Sequence, residues 1–420
     1  MEKYSSYKDS GVKWLGEIPS HWETIKSKYI WQEQFATSEN GTEELLSVSQ
    51  YDGVTPSKGD SRSESLKGYK IVKENDLVIN IMLAWLGGLG VSKHNGIVSP
   101  AYCTYKMTGG ANPHFLHYLY KTPLYLSEFA RHSTGVVPSR WRMYTDDFGQ
   151  VLTLLPPLSE QNAIASYLDS VTTQIDTAIE QQKKMIELLN ERKQIIINNA
   201  VTKGLDPNVK MKDSGVDWIG EIPEGWEVCS LKKVATIILG KMLSNNPTEK
   251  YPYLCAKDVH YGNVDLSDLK MMYFSKEERE RYRVQNGDML IVEGGAGAGG
   301  SAVFDGDMEV FIQNSIMIVR GNSNMDNRFI CYFFQTINQK GYVEFICNKA
   351  TIPHFTKEKV GAVMLPIPPI EEQMQIVNKI KSICEPIDNA INAANKQISL
   401  LQERKQIIIN EVVTGKVKVS

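Results

Sequence analysis

The chain has 420 residues, 42% of them hydrophobic and 23% charged, with a formal net charge of −3 at pH 7. The length suits two or three domains, and the composition is that of a globular protein rather than a disordered or fibrous one. The slight acidity excludes a chain that is basic throughout, so any role with nucleic acid must rest on local charge and architecture.

The opening stretch, MEKYSSYKDS, is polar and reads as no secretory signal. No apolar run approaches the ~20 residues a spanning helix needs. The six cysteines are scattered and fit reduced thiols of a cytoplasmic protein. His114 and His117 are the nearest approach to a zinc pair, and nothing beside them completes a site.

The first element is KDSGVKWLGEIPSHWE at 8–23, an extended segment in which Trp14, Pro19 and Trp22 read as packing anchors. Residues 24–155 then mix short β-like runs, such as DLVINIML, with turns and a few helical patches, among them the short amphipathic PHFLHYLYK. PPLSEQ at 156–161 leads into a helical block whose apolar residues recur at 3–4 spacing, beginning Ile164, Leu168, Val171 and Ile175. Ile179 and Ile186 widen this stripe on one flank, and Leu188 and Ile195 on the other. A face that wide implies more than one helical neighbour. Two adjacent threonines, 172 and 173, argue against helix just before Gln174, so the long helix is expected at about 174–200.

The chain then repeats itself. KDSGVDWIGEIPEGWE at 212–227 matches the first segment at twelve of sixteen positions. NGDMLI (286–291) echoes ENDLVI (74–79), and PPIEEQ (368–373) echoes PPLSEQ. ERKQIIIN stands at 191–198 and again, unchanged, at 403–410. The last three matches share an offset of 212, against 204 for the first, so the second half carries eight extra residues early in its middle. The apolar flanks recur too, as Ile391 and Ile398 and as Leu400 and Ile407. Pro386 suits a first helical turn, which predicts the second long helix at about 386–412. Ends are kept and middles diverge, so one scaffold job is done twice while the middles do two jobs.

Local charge singles out loops in both middles. Residues 130–143 hold Arg131, Arg140 and Arg142 and no acid; the matching stretch CNKATIPHFTK holds Lys349, His354 and Lys357 and no acid. Loops after the first strands add Lys58 and Arg62 (49–62) and Lys257 and His260 (256–264). Such side chains can neutralise phosphates, and arginine can fork onto guanine; the plainer reading of each loop is a solvated turn. EGGAGAGG at 293–300 contains a formal G-x-G-x-x-G, but turn and strand follow it, not helix, and the first repeat has AWLGGLG instead. It reads as a hairpin or close-approach loop. No metal site, P-loop or catalytic constellation stands out.

Two divergent α+β domains, each opened by GEIP…W and closed by P-P-x-x-E-Q and a long helix, resemble the specificity subunit of a type I restriction–modification system. The resemblance covers nearly the whole chain and rests on the duplicated order more than on any one motif. It implies two target recognition domains separated by two long antiparallel helices, with a pseudo-two-fold internal repeat. The divisions expected are 1–158, a central helical spacer 159–203, a second recognition domain 204–371 and a C-terminal spacer 372–420. The function implied is non-catalytic and needs no cofactor. Double-stranded DNA would be read as a two-part target through Lys58, Arg62, Arg131, Arg140, Arg142, Lys257, His260, Lys349, His354 and Lys357. Modification (methyltransferase) subunits would dock on Ile179, Ile186, Ile391 and Ile398, restriction subunits would join through the complex, and no membrane is involved. Two other readings of the residues stay open: a coiled-coil adaptor with repeated protein- or sugar-binding domains, and a nucleotide-dependent methyltransferase built on the glycine loop.

Overall fold

The computed structural model describes residues 2–419 except 51–52, 58, 60–64, 138–139, 245–248, 296 and 348–353. The chain divides into two compact units, residues 1–182 with 395–420, and residues 183–394. Each is α+β.

In the first unit a four-stranded antiparallel sheet runs in the order Trp31–Gln34, Tyr102–Met107, Leu77–Asn80, Leu89–Val91. The second unit repeats it as Ala235–Leu239, Ile316–Gly321, Met289–Val292, Ser301–Val303. The central strands Leu77–Asn80 and Met289–Val292 are buried at every residue because both faces are covered. Leu77 and Ile79 face a core with Phe115 and Leu119 of the helix Pro113–Tyr120, while Val78 faces Leu46, Val48 and Val54. Met289 and Ile291 face Phe329 and Phe333 of the helix Asn327–Gln339; Leu290 and Val292 face the opposite core. Side chains that alternate between two apolar cores produce an unbroken hydrophobic run.

The turn that feeds these strands explains the ENDLVI and NGDMLI echo. Asn75 (φ 72°) and Gly287 (φ 86°) take the left-handed conformation that Asn and Gly tolerate. The next residue closes the turn: Asp76 accepts from the Lys73 N–H at 2.8 Å, and Asp288 from the Gln285 N–H at 2.7 Å. Asp288 also takes both forks of Arg320, at 2.7 and 2.8 Å.

Two long helices, Leu158–Lys203 and Ile370–Val413, each contribute to both units. In the first unit Ile164, Ala165 and Leu168 share a core with Ile409, Val412 and Val413; in the second, Ile197, Ala200 and Val201 share one with Ile376, Val377 and Ile380. The start of one helix thus meets the end of the other, so within each unit they run antiparallel. The lysine of each ERKQIIIN copy marks the register: Lys405 bonds both oxygens of Asp176 at 2.7 and 2.6 Å, and Lys193 both of Asp388 at 2.6 and 2.8 Å. The two pairs are the same pair, related by the offset of 212. Being partly exposed, each contributes about 1 kcal/mol at most.

Both helices start about sixteen residues earlier than expected from residues 174 and 386. Pro386 lies inside the second helix, on an exposed face, and so does Ser382, whose carbonyl loses its partner to the proline but keeps access to water. In the first helix tertiary packing overrides propensity: Thr172 is buried, with its hydroxyl 3.2 Å from the Tyr118 hydroxyl.

The repeated opening segments close each unit against a helix end. Each forms a small hairpin, Tyr7–Asp9 with Glu17–Pro19 and Met211–Asp213 with Glu221–Pro223. Trp22 is fully buried against the C-terminal end of the second helix at Gly415, and Trp226 against that of the first at Gly204. Those glycines have φ of 73° and 74°, and a Cβ on Gly415 would come within 2.5 Å of Pro19. The P-P-x-x-E-Q motif completes the joint. Glu160 receives the Tyr4 hydroxyl and His21, and Glu372 receives the Trp226 indole N–H at 3.0 Å. Buried Gln161 bonds the Asn112 N–H and the Pro156 carbonyl, and Gln373 the Asp326 N–H and the Pro368 carbonyl. The chain ends meet within the first unit, where Lys418 N–H donates to Glu2 O at 2.8 Å.

Candidate nucleic-acid interface

Each unit brings together two loops from distant parts of its sequence. In the first, residues 81–88 connect the central strand to its hairpin partner, and the Met143 N–H donates to Ile81 O at 3.0 Å, tying that connection to the loop before the last helix of the domain. In the second, the Phe355 N–H donates to Glu293 O at 2.7 Å, and Gly294 bridges to His354. The two joints match at an offset of 212. A third loop abuts each pair. Lys121 Nζ bonds both Gln50 O and Gly87 O at 2.8 Å; in the second unit Gly262 N–H reaches Ser301 O at 2.9 Å, and Gln335 Nε2 reaches the same carbonyl at 3.2 Å.

The lining differs sharply between units. The first exposes Met82, Leu83 and Leu86, each at 40%, while Trp85 meets Trp141 edge to face at 5.3 Å. The second presents a run of glycines, Gly294, Gly295 and Gly297, behind the half-buried carboxyl of Glu293. EGGAGAGG is therefore a hairpin connection between the antiparallel strands Met289–Val292 and Ser301–Val303, with no helix to receive a dinucleotide's phosphates.

The basic residues are placed as follows. Arg140 and Arg142 are exposed on the loop tied to Ile81, flanking Trp141. His354 is exposed beside the glycine loop, and Lys357 is exposed at the start of the helix Lys357–Ala362. His260 is exposed on the third loop. Arg131 is held by Glu128 through bonds of 2.8 and 2.6 Å, and Lys257 by Asp268 and Asp258 at 3.1 and 3.3 Å, so both cations are already engaged. Lys58, Arg62 and Lys349 lie outside the described residues. Of the apolar flank, Ile179 is buried within the chain at 6% exposure, and Ile186, Ile391 and Ile398 are half-buried. The other flank is the open one, with Leu188, Ile195, Leu400 and Ile407 exposed at 52, 53, 55 and 48%.

The hairpin-connection residues are what charge counting misses. Their signal is the divergence of IMLAWLGG (81–88) from EGGAGAGG (293–300) in the shared frame.

Among the described residues no cluster of His, Cys, Asp and Glu could hold a metal ion, and no helix is long and apolar enough to cross a membrane. All six cysteines are free thiols. His117 serves structure: its Nδ1 accepts the Val91 N–H at 3.1 Å, which fixes a neutral ring. Burial, helped by Lys121 and Lys93, pushes its pKa down to about 3 from 6.5. The unfolded chain therefore takes up a proton below about pH 6.5 that the folded chain refuses until about pH 3. Stability falls as pH drops through that window, by up to about 1.4 kcal/mol per unit. Thermal melts between pH 7 and 4 should show this slope, and His117→Gln should flatten it.

Residues 223–400 match the family model described as type I restriction modification DNA specificity domain. A putative MjaX type I restriction enzyme specificity subunit of Methanocaldococcus jannaschii is 31% identical over 273 residues, covering 63% of this chain and 59% of the relative. The MjaVIII specificity subunit of the same organism is 27% identical over 282 residues, 65% of this chain and 63% of the relative. The chain thus spans about three fifths of the length of these two relatives. Among solved structures, one chain from work on complex assembly and conformational transition of the type I R-M system superimposes with a TM-score of 0.72. It is 16% identical, and the match covers 95% of this chain and 99% of that one, a likeness of fold.

Proposed function

We propose that the chain is a specificity subunit of the type I restriction–modification family, that it reads a two-part DNA target, and that it brings modification and restriction subunits to it. The observation that carries this reading is the pair of equivalent two-loop surfaces with unlike linings. A repeated scaffold with two unlike surfaces suits two unlike half-sites, whereas a duplicated adaptor would keep its surfaces alike. Arg140, Arg142, His354 and Lys357 would meet phosphates or base edges. We assign 1–158 and 204–371 as the target recognition domains, and 159–203 and 372–420 as the helical spacers that set the interval between half-sites.

Chemistry belongs to the partners in this reading. The purified chain alone should neither methylate nor cleave DNA, and turnover by the partner-free chain would contradict it. Modification subunits would dock on the apolar flanks of the long helices. Ile186→Lys with Ile398→Lys, at half-buried positions, should weaken co-purification with the modification subunit roughly tenfold or more while the chain's own melting point holds. Unchanged co-purification would count against docking there.

The function itself is tested by selecting random duplexes on the chain bound to its modification subunit. The reading expects recovered duplexes to share two short blocks at a fixed interval. One block, or none, would contradict it.

A further inference from the structure

We propose that Glu293 reads cytosine: its carboxylate accepts a hydrogen bond from the N4 amino group of a cytosine in the half-site bound by the second unit. The inference rests on the reading of the chain as a DNA-recognition subunit. Glu293 is fixed in place by its backbone, its N–H donating to Ser315 O at 2.8 Å and its carbonyl accepting from Phe355 N–H at 2.7 Å. Its carboxylate accepts no hydrogen bond among the described residues, although it is half-buried. Burial raises its pKa, and the neighbouring His354 only partly opposes this. A carboxylate with no donor from the chain is free to take one from a ligand, and the fold does not require it, because the first repeat makes the same joint with Ile81.

The surroundings fit a base edge. Gly294 and Gly295 follow directly, and a Cβ on Gly295 would meet nothing within 4 Å, so the connection presents bare backbone with room for close approach. A carboxylate repels phosphates, which leaves bases as its target. In the major groove guanine offers two acceptors and thymine one, and adenine's N6 donor sits beside the N7 acceptor. Cytosine alone offers a donor with no neighbouring acceptor.

Methylome sequencing of cells carrying the full chain with its modification subunit tests this, comparing wild type with Glu293→Gln and Glu293→Ile. In wild type, one half-site should contain an invariant C·G pair. Glu293→Gln, which can fork onto adenine N6 and N7, should move that position toward adenine. Glu293→Ile should lower discrimination there roughly tenfold or more, and the other half-site should stay unchanged. If Glu293→Gln abolishes methylation, binding restored on duplexes carrying adenine at that position supports the proposal, and no restoration on any base overturns it. An unchanged motif in both variants overturns it, as does a wild-type motif lacking a C·G pair in both half-sites. Failure of the wild-type complex to methylate any two-part motif would instead overturn the DNA-recognition reading.

Discussion

A chain ending at residue 211 is expected to form a two-fold dimer that, supplied with the modification subunit, directs methylation to a palindrome. The first unit requires the end of the second long helix, and residues 1–211 lack it. They contain its equivalent. Ile197, Ala200 and Val201 of a second copy can take the places of Ile409, Val412 and Val413 beside Ile164 and Leu168. Lys193 of that copy can pair with Asp176 as Lys405 does, since both lysines stand in identical octets. Gly204 can receive Trp22 as Gly415 does, since it already receives Trp226 in its own unit. The contact is self-complementary, as a two-fold dimer requires. Sedimentation should give twice the monomer mass, and methylome sequencing should give an inverted repeat of one half-site. A stable monomer, or an asymmetric motif, would show that the two halves are not interchangeable.

The largest loss of stability from a single substitution is expected at the tryptophans of the repeated segments. Trp22→Ala and Trp226→Ala each empty a buried site where an opening hairpin joins a helix end, at a cost of about 3–5 kcal/mol. The two differ in one respect. The Trp226 indole donates to Glu372, whereas Glu160 is occupied by Tyr4 and His21, and the buried Trp22 indole N–H finds no acceptor among the described residues. Trp226→Phe should therefore cost about 1–3 kcal/mol more than Trp22→Phe. Denaturant titration of the two phenylalanine variants checks this, and equal costs would show that the Glu372 bond contributes nothing net.

The scaffold was legible in the sequence because its parts are short motifs used twice in a shared frame. Each has a local mechanism: a left-handed residue before Asp76 and Asp288, a buried glutamine at 161 and 373, a lysine in each octet. The helix starts were not legible. Pro386 does its damage on a solvent face, and Thr172 is kept helical by a tyrosine more than fifty residues away. The site was only half legible. Counting charge from residue 130 onward missed Glu128, which neutralises Arg131 one turn along the same helix. The joints Ile81–Met143 and Glu293–Phe355 each span 62 residues, and no local pattern announces them. The residues that differ most between the two surfaces, Trp85 and Glu293, lie in stretches whose divergence is visible in the sequence, but only folding places them beside the basic loops.

Two unlike readers of DNA on one repeated scaffold would be revealed by profiling methylated bases in the host genome with and without this chain. The expected motif has two different short blocks at a fixed interval, present with the chain and lost without it. A profile unchanged by removing the chain, or a chain-dependent motif made of a single block, would contradict it.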